Sequence, residues 1–201
     1  AGALVGLILS SPILLLAALA VKATSPGPIL FRQTRMGQKG KRFLFYKFRS
    51  MYWNSDDRIH RQYVTDLIRG NHEKINQGNG DRPLFKMNAD PRITRVGRII
   101  RKLSIDELPQ FFNVLRGEMS LVGPRPPIPY EVEKYEPWHL RRILEVKPGI
   151  TGLWQVDGRS RTSFDDMVRM DLRYVRNWSL WLDAEILIKT VKAVLRSKGA
   201  V

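Results

Sequence analysis

The sequence predicts a mostly helical α+β fold: a small β-hairpin, amphipathic surface helices and an apolar helix at the N-terminus. Three observations carry that prediction. Residues 1–21 hold no charge, residues 29–50 alternate like strands around a Gly-containing turn, and most of the remainder repeats its apolar residues at helical spacing. With 201 residues the chain suits one ordinary domain with its own core. The expected division is an apolar helix over residues 1–23 and a folded body over residues 24–201.

The first element is "AGALVGLILSSPILLLAALAV", closed by Lys22. Its length passes that of a membrane helix. Pro12 has no N–H for the carbonyl of Ile8, so a kink is expected at Ser11 and Pro12. A kinked single span and a bent helix that enters and leaves by one face both fit. A signal peptide fits less well, because no basic stretch precedes the run. The chain starts inside this run and without Met, which reads as a truncated start.

After the breaker "ATSPGP", the segments "ILFRQTR" and "KRFLFYKFRS" flank the turn "GQKGK" and read as a hairpin. Strand alternation puts Phe43, Phe45, Lys47 and Arg49 on one face. A helix is expected near Arg58 to Arg69, then a loop at "NQGNGDRP". From Arg92 to Leu103, Ile93, Val96, Ile99, Ile100 and Leu103 recur at helical spacing among five cations. Such a basic amphipathic helix suits an anionic membrane surface, although the apolar stripe also suits the core.

"LSIDELPQ" opens the next helix. Ser104 and Glu107 have capping-box spacing, and Pro109 places the helix start within about two residues of Ile105. Asp106 and Glu107 then sit at a positive helix end, which keeps carboxylates ionised; local physics favours caps over catalysts. In "GPRP", Pro124 and Pro126 stiffen the backbone around Arg125 and hold out a guanidinium suited to phosphate. A helix over Tyr130 to Val146, an extended "ITGLWQVDGR", a helix capped by Ser163 and a last helix from Ser179 to Arg196 complete the chain. Trp178 and Trp181 near its start suit either a membrane interface or the core.

The formal charge of +15 points to an anionic partner. The excess is concentrated: residues 22–102 carry 19 Lys and Arg against 6 Asp and Glu, while residues 103–201 carry 15 against 13. The absence of Cys excludes disulfides, a thiol nucleophile and thiolate-bound zinc, and three His far apart in sequence argue against a His-rich metal site. A membrane-tethered nucleic-acid binder is the alternative reading of the charge. It lacks a helix-turn-helix and an aromatic RNA-binding signature, so no nucleic-acid partner is expected. A conventional nucleotide-sugar glycosyltransferase is disfavoured by the absence of an Asp-x-Asp motif.

The stretches "SPGPILFRQTRMG", "YKFRSM", "DPRITRVGRIIRKLSIDELPQFFNVLRGEMSLVGPRP", "KPGITGLWQVDGRS" and "MDLRYVRNWSLWLDAEILIKTVKAVL" follow one another here. Together they resemble the bacterial sugar transferases known as monotopic phosphoglycosyl transferases, or polyprenyl-phosphate hexose-1-phosphate transferases, over nearly the whole chain. The resemblance implies transfer of a hexose 1-phosphate from a UDP-hexose to undecaprenyl phosphate, with release of UMP. This would be the first membrane step of O-antigen, capsule or exopolysaccharide assembly. It implies Asp106 as nucleophile through a covalent sugar-phosphoryl aspartate, Glu107 as its partner, and Mg2+ held by Asp106 and Glu107. Lys47, Arg49 and Arg125 match phosphate-binding positions, and Arg159 and Asp171 are weaker substrate-binding candidates.

The resemblance also makes the N-terminal helix re-entrant, broken at Ser11 and Pro12, with both ends cytoplasmic. It places the body on the cytoplasmic face of a bacterial inner membrane, against membrane lipids, and makes a homodimer plausible. The segment between "KFRSM" and the acidic pair is longer than in the smallest members. Longer members often carry further N-terminal membrane helices and a further domain. This longer type often handles glucose or galactose, and no residue here chooses between them.

Overall fold

The computed structural model describes residues 2–78, 84–85, 90–158 and 162–195. The first helix, α1 (Gly2–Thr24), is continuous across Ser11 and Pro12, where a break was expected. Its side chains explain the continuity. Ser11 Oγ donates to the Ile8 carbonyl that Pro12 cannot reach (2.7 Å), and Ser10 Oγ donates to the Gly6 carbonyl (2.7 Å). At 23 residues α1 is about 34 Å long, more than the roughly 30 Å of a bilayer core, and it is apolar enough to cross a membrane. One edge of the helix touches the body: Ala3, Ala17 and Val21 are buried, Leu14 packs against the same core, and Gly6 admits the Phe111 ring, where a Cβ would come within 2.7 Å. Leu4, Ile8, Leu9, Leu16 and Leu19 face outward.

The hairpin forms as expected. Strands β1 (Leu30–Met36) and β2 (Arg42–Phe48) pair antiparallel, Leu30 opposite Phe48 and Met36 opposite Arg42, around a 3-10 turn at Gln38–Gly40. Two short helices follow, α2 (Arg58–Ile68) and α3 (His72–Ile75). Helix α4 (Arg95–Lys102) is capped by Thr94, whose hydroxyl accepts from Gly97 N–H (2.8 Å). Gly97 is required there, because a Cβ would sit 1.9 Å from the Ser50 carbonyl oxygen. Ile100 of α4 joins Ala17, Val21 and Phe48 in one core cluster, against which Ile105 packs. Ile99 and Leu103 remain exposed among the cations.

A 3-10 turn at Ile105–Glu107 leads to α5 (Gln110–Leu115). Strand β3 (Ser120–Val122) pairs in parallel with β4 (Gly149–Thr151), a second small sheet that the sequence did not announce. The single helix expected over Tyr130 to Val146 is instead two, α6 (Pro129–Val132) and α7 (Arg141–Leu144). Pro137 lies between them, where its ring and missing N–H oppose a continuous helix. The extended piece ends at Thr151, and residues beyond it form α8 (Leu153–Asp157). Helix α9 (Phe164–Arg176) starts at the predicted cap, Ser163 Oγ accepting from Asp166 N–H (3.2 Å).

The last helix, α10 (Leu180–Leu195), packs Ile186 and Leu182 against Val122 and Tyr174. Val191 is exposed, as are Trp178 and Trp181. The two tryptophans are therefore surface groups in this structure and not core. A third cluster joins Val64 and Ile68 of α2 to Phe164 and Val168 of α9.

Candidate active site

Asp106 and Glu107 lie in the 3-10 turn, not in a capped helix. Ser104 adopts a left-handed conformation (φ 55°) and makes no side-chain cap. Pro109 explains the difference. A helix begun at Ser104 would need a proline N–H for the Ile105 carbonyl, so the chain closes one 3-10 turn and restarts after Pro109, which is the N-cap residue of α5. Helix α5, which follows the turn, is held against β2 by Asn113. Its Oδ1 accepts from Tyr46 N–H (3.2 Å), and its Nδ2 donates to the Leu44 carbonyl (2.7 Å) and to Glu118 Oε2 (2.7 Å).

The acidic turn forms part of the wall of a cleft of about 510 Å³ that also takes in Lys47 of β2, Arg101 of α4 and Arg125 of the "GPRP" loop. Asp106 is 8% exposed. Burial and then the negative charge of Glu107 push its carboxyl up to about 6, while Lys47, Arg101 and Arg125 pull the other way. The expectation that a helix end holds Asp106 fully ionised is thus corrected: it is a carboxylate poised just below neutral pH. Burial pushes Lys47 down to about 8, against the attraction of Asp106. Its ammonium lies 5.2 Å from the centre of the Phe31 ring.

Glu107 pairs with Arg125, Oε1 to Nη1 at 3.0 Å. Burial opposes the Arg125 cation and Glu107 more than offsets it. The loop carrying Arg125 is fastened along its length: Gly123 N–H donates to the Thr151 carbonyl (2.9 Å), Gly149 N–H to Pro124 (2.9 Å), and Arg35 Nη1 to Pro126 (2.8 Å). The stiffness expected from its prolines is reinforced by both sheets.

Three other candidates stand differently. Arg49 is buried outside the cleft, and its guanidinium is spent on the end of α1, donating to the Ser25 carbonyl (2.7 Å), Ser25 Oγ (2.8 Å) and the Pro26 carbonyl. It shares a strand face with Lys47, yet α1 covers it. Asp171 of α9 also lies outside the cleft wall, 1% exposed, paired with Arg142 at 2.6 Å. Burial pushes its carboxyl up to about 6 against the pull of Arg142. Arg142 lines the cleft, and Asp171 is its buried counter-ion. Arg159 lies outside the described residues.

Sequence reasoning missed Arg35, Arg142 and His60, all on the cleft wall. Arg142 and His60 carry no local signal; Arg35 stands in a quoted motif, and strand alternation placed it opposite the solvent-facing Arg32 and Thr34. His60 is pushed down to about 4 by burial and by surrounding cations, so it is neutral at physiological pH.

No group of three or more metal-ligating side chains occurs among the described residues. The donor set still fits Mg2+, which takes one or two carboxylates and completes its shell with water and substrate phosphate oxygens. Asp106 and Glu107 supply two hard oxygen donors beside a cationic cleft.

Fold and site together define a small, mostly helical body whose cationic, carboxylate-bearing cleft stands at the foot of a membrane-length helix. The chain belongs to the bacterial sugar transferase family, whose model matches residues 1–197. It is 48% identical over 196 residues to an undecaprenyl-phosphate galactose phosphotransferase of Salmonella typhimurium, covering 96% of this chain and 39% of that protein. To the galactosyl transferase CpsE of Streptococcus agalactiae it is 46% identical over 200 residues, 99% of this chain and 41% of that one. To the exopolysaccharide production protein ExoY of Rhizobium meliloti it is 40% identical over 196 residues, 98% and 83% of the two chains. The chain thus spans about two fifths of the length of the first two relatives.

Proposed function

We propose that this chain transfers a hexose 1-phosphate from a UDP-hexose to undecaprenyl phosphate, opening the assembly of a cell-surface polysaccharide. The observation that carries the proposal is Asp106: a buried carboxylate, titrating near 6, on the wall of a cleft whose other charged groups are mainly cations. A carboxylate is a competent nucleophile toward phosphorus, and burial strips it of the water that would blunt it.

In the first half-reaction an Asp106 oxygen attacks the phosphorus bearing the sugar. The bond from that phosphorus to the UMP oxygen breaks, UMP leaves, and a sugar-phosphoryl aspartate remains. In the second, an oxygen of undecaprenyl phosphate attacks the same phosphorus, the acyl-phosphate bond breaks and Asp106 is regenerated. Lys47 and Arg125 bind the phosphoryl oxygens and spread their charge, and Glu107 holds Arg125 in place through its ion pair. Mg2+ bound by Asp106 and Glu107 would neutralise the diphosphate and its developing charge. The apolar helix α1 anchors the body in the inner membrane, with the cleft on the cytoplasmic side where soluble donor and lipid acceptor meet.

Incubating the protein with a UDP-hexose and Mg2+ without lipid acceptor tests this. A hexose-phosphate adduct on Asp106, seen by mass spectrometry together with UMP and lost in Asp106→Asn, is the expected result. Absence of both adduct and UMP across a panel of UDP-hexoses refutes it. Single cysteines at Leu4 and Lys22, both exposed, test the anchor separately: labelling from opposite sides of the membrane rejects the re-entrant arrangement.

A further inference from the structure

Arg35 is a cleft cation to which the proposed chemistry gives no task. It is 7% exposed, and β2 and the "GPRP" loop enclose it. Its guanidinium carbon stands 5.1 Å from the centre of the Phe45 ring, and Nη1 donates to the Pro126 carbonyl (2.8 Å). Its Nε is buried without a hydrogen-bond partner. Among the described residues no carboxylate is ion-paired with it, since Glu107 holds Arg125, Asp171 holds Arg142, and Glu131 Oε2 accepts from Ile128 N–H (3.0 Å).

A buried guanidinium with neither counter-ion nor full hydrogen bonding is costly. Arg125 and Lys47 raise the cost, because each repels it across the same cleft. Such a group is retained where an anion completes the arrangement, and the guanidinium fork presents two donors to two phosphoryl oxygens. The bond to Pro126 has a second effect: it ties Arg35 to the loop that carries Arg125, whose own guanidinium is held by Glu107. Lone surface cations have no such preorganisation.

We propose that Arg35 is a phosphate-binding residue of the cleft, taking one phosphoryl group of a diphosphate beside Lys47 and Arg125. The inference rests on the proposed function only for the identity of that diphosphate; the anion site stands on the charge and burial of the cleft itself.

The experiment titrates inorganic pyrophosphate into the detergent-solubilised chain by calorimetry and records thermal unfolding alongside. The wild type binds, Arg35→Gln binds about 10- to 100-fold more weakly, as loss of a charge-assisted bond requires, and Arg35→Lys falls between them. Arg32→Gln, exposed on the same strand, binds like the wild type. If both Arg35 variants melt lower yet bind pyrophosphate as the wild type does, Arg35 only staples the loop and the proposal is overturned. Should Arg35→Gln fail to fold, Arg35→Lys decides alone: undiminished binding refutes, weakened binding supports. A wild type that does not bind pyrophosphate also refutes it. Failure of the transferase reading has a different signature, absent UMP release with the Arg35-dependent pyrophosphate affinity intact.

Discussion

Replacing Arg49 by Ala separates two tasks for that residue. The family resemblance makes it a phosphate ligand, whereas in the structure its guanidinium closes the C-terminal end of α1 through the Ser25 carbonyl, Ser25 Oγ and the Pro26 carbonyl. Each bond from a charged donor is worth about 1.5–3 kcal/mol, but one side chain supplies all of them and water enters the opened junction, so about 3–5 kcal/mol is expected in total. That is a large part of the ~5–15 kcal/mol that holds a domain together. For a chain of this size it corresponds to a fall of about 6–20 °C in melting temperature. Trp53 lies at the same junction, its Cβ 3.1 Å from where a Cβ on Gly27 would stand. Intrinsic tryptophan fluorescence therefore reads the transition, and steady-state kinetics below it read the donor KM. A lowered melting temperature with an unchanged KM is expected. A melting temperature within about 2 °C of the wild type, with KM raised tenfold, would refute the structural assignment and return Arg49 to the phosphate site.

The remaining predictions concern the buried charges and one close contact. Asp106 is raised above its unfolded value, so its ionisation opposes folding: the stability of its protonated form is complete below about pH 4 and lost as pH rises through about 6. Asp106→Asn should therefore abolish UMP release yet stabilise the fold by up to about 3 kcal/mol at neutral pH, a gain that pH-dependent denaturant titration should find gone near pH 4. Wild-type turnover should rise through pH 6 as Asp106 ionises and fall above pH 8 as Lys47 loses its proton; a flat profile between pH 5 and 9 would contradict both roles. Asp171→Ala leaves Arg142 buried and unpaired and should cost about 3–5 kcal/mol, while Arg142→Met combined with Asp171→Leu should recover most of it in chemical denaturation. Gly97→Ala drives a methyl into the Ser50 carbonyl and should cost about 3 kcal/mol, read as a lower denaturant midpoint.

What could be read along the chain was whatever nearest neighbours decide. Alternation in "KRFLFYKFRS" located β2 and the shared face of Lys47 and Arg49, the Ser163 cap located α9, and Thr94 starts α4 within the predicted basic segment. The misreadings share another cause. Ser104 and Glu107 have capping-box spacing, but Pro109 removes the next bond of the helix and the backbone at Ser104 turns left-handed. The parallel pair β3 and β4 rests on three residues from each of two distant segments, too few for a pattern to show. For the candidate site, the motif match found Asp106, Glu107, Lys47 and Arg125, which the cleft brings together. Strand alternation could not tell that α1 covers Arg49 and leaves Lys47 open, and nothing local separates Arg142 from the other arginines of the helix surfaces. Those distinctions arise only when distant elements pack.

The shared core beneath α1 has a mechanical meaning. Ala17 and Val21 of that helix, Phe48, Ile100 and Ile105 form one packed unit, and Asp106 is the next residue in the chain. About 22 Å of helix extends from Ala17 back to Gly2, and Leu4, Ile8, Leu9 and Leu16 along it face outward. Rod and turn are packed on one apolar cluster. Wherever the rod settles in an oily layer, the carboxylate is carried to one altitude above it, as a float carries a hook at constant draught. On the proposed reading, a lipid acceptor would meet Asp106 only at the height its own phosphate reaches.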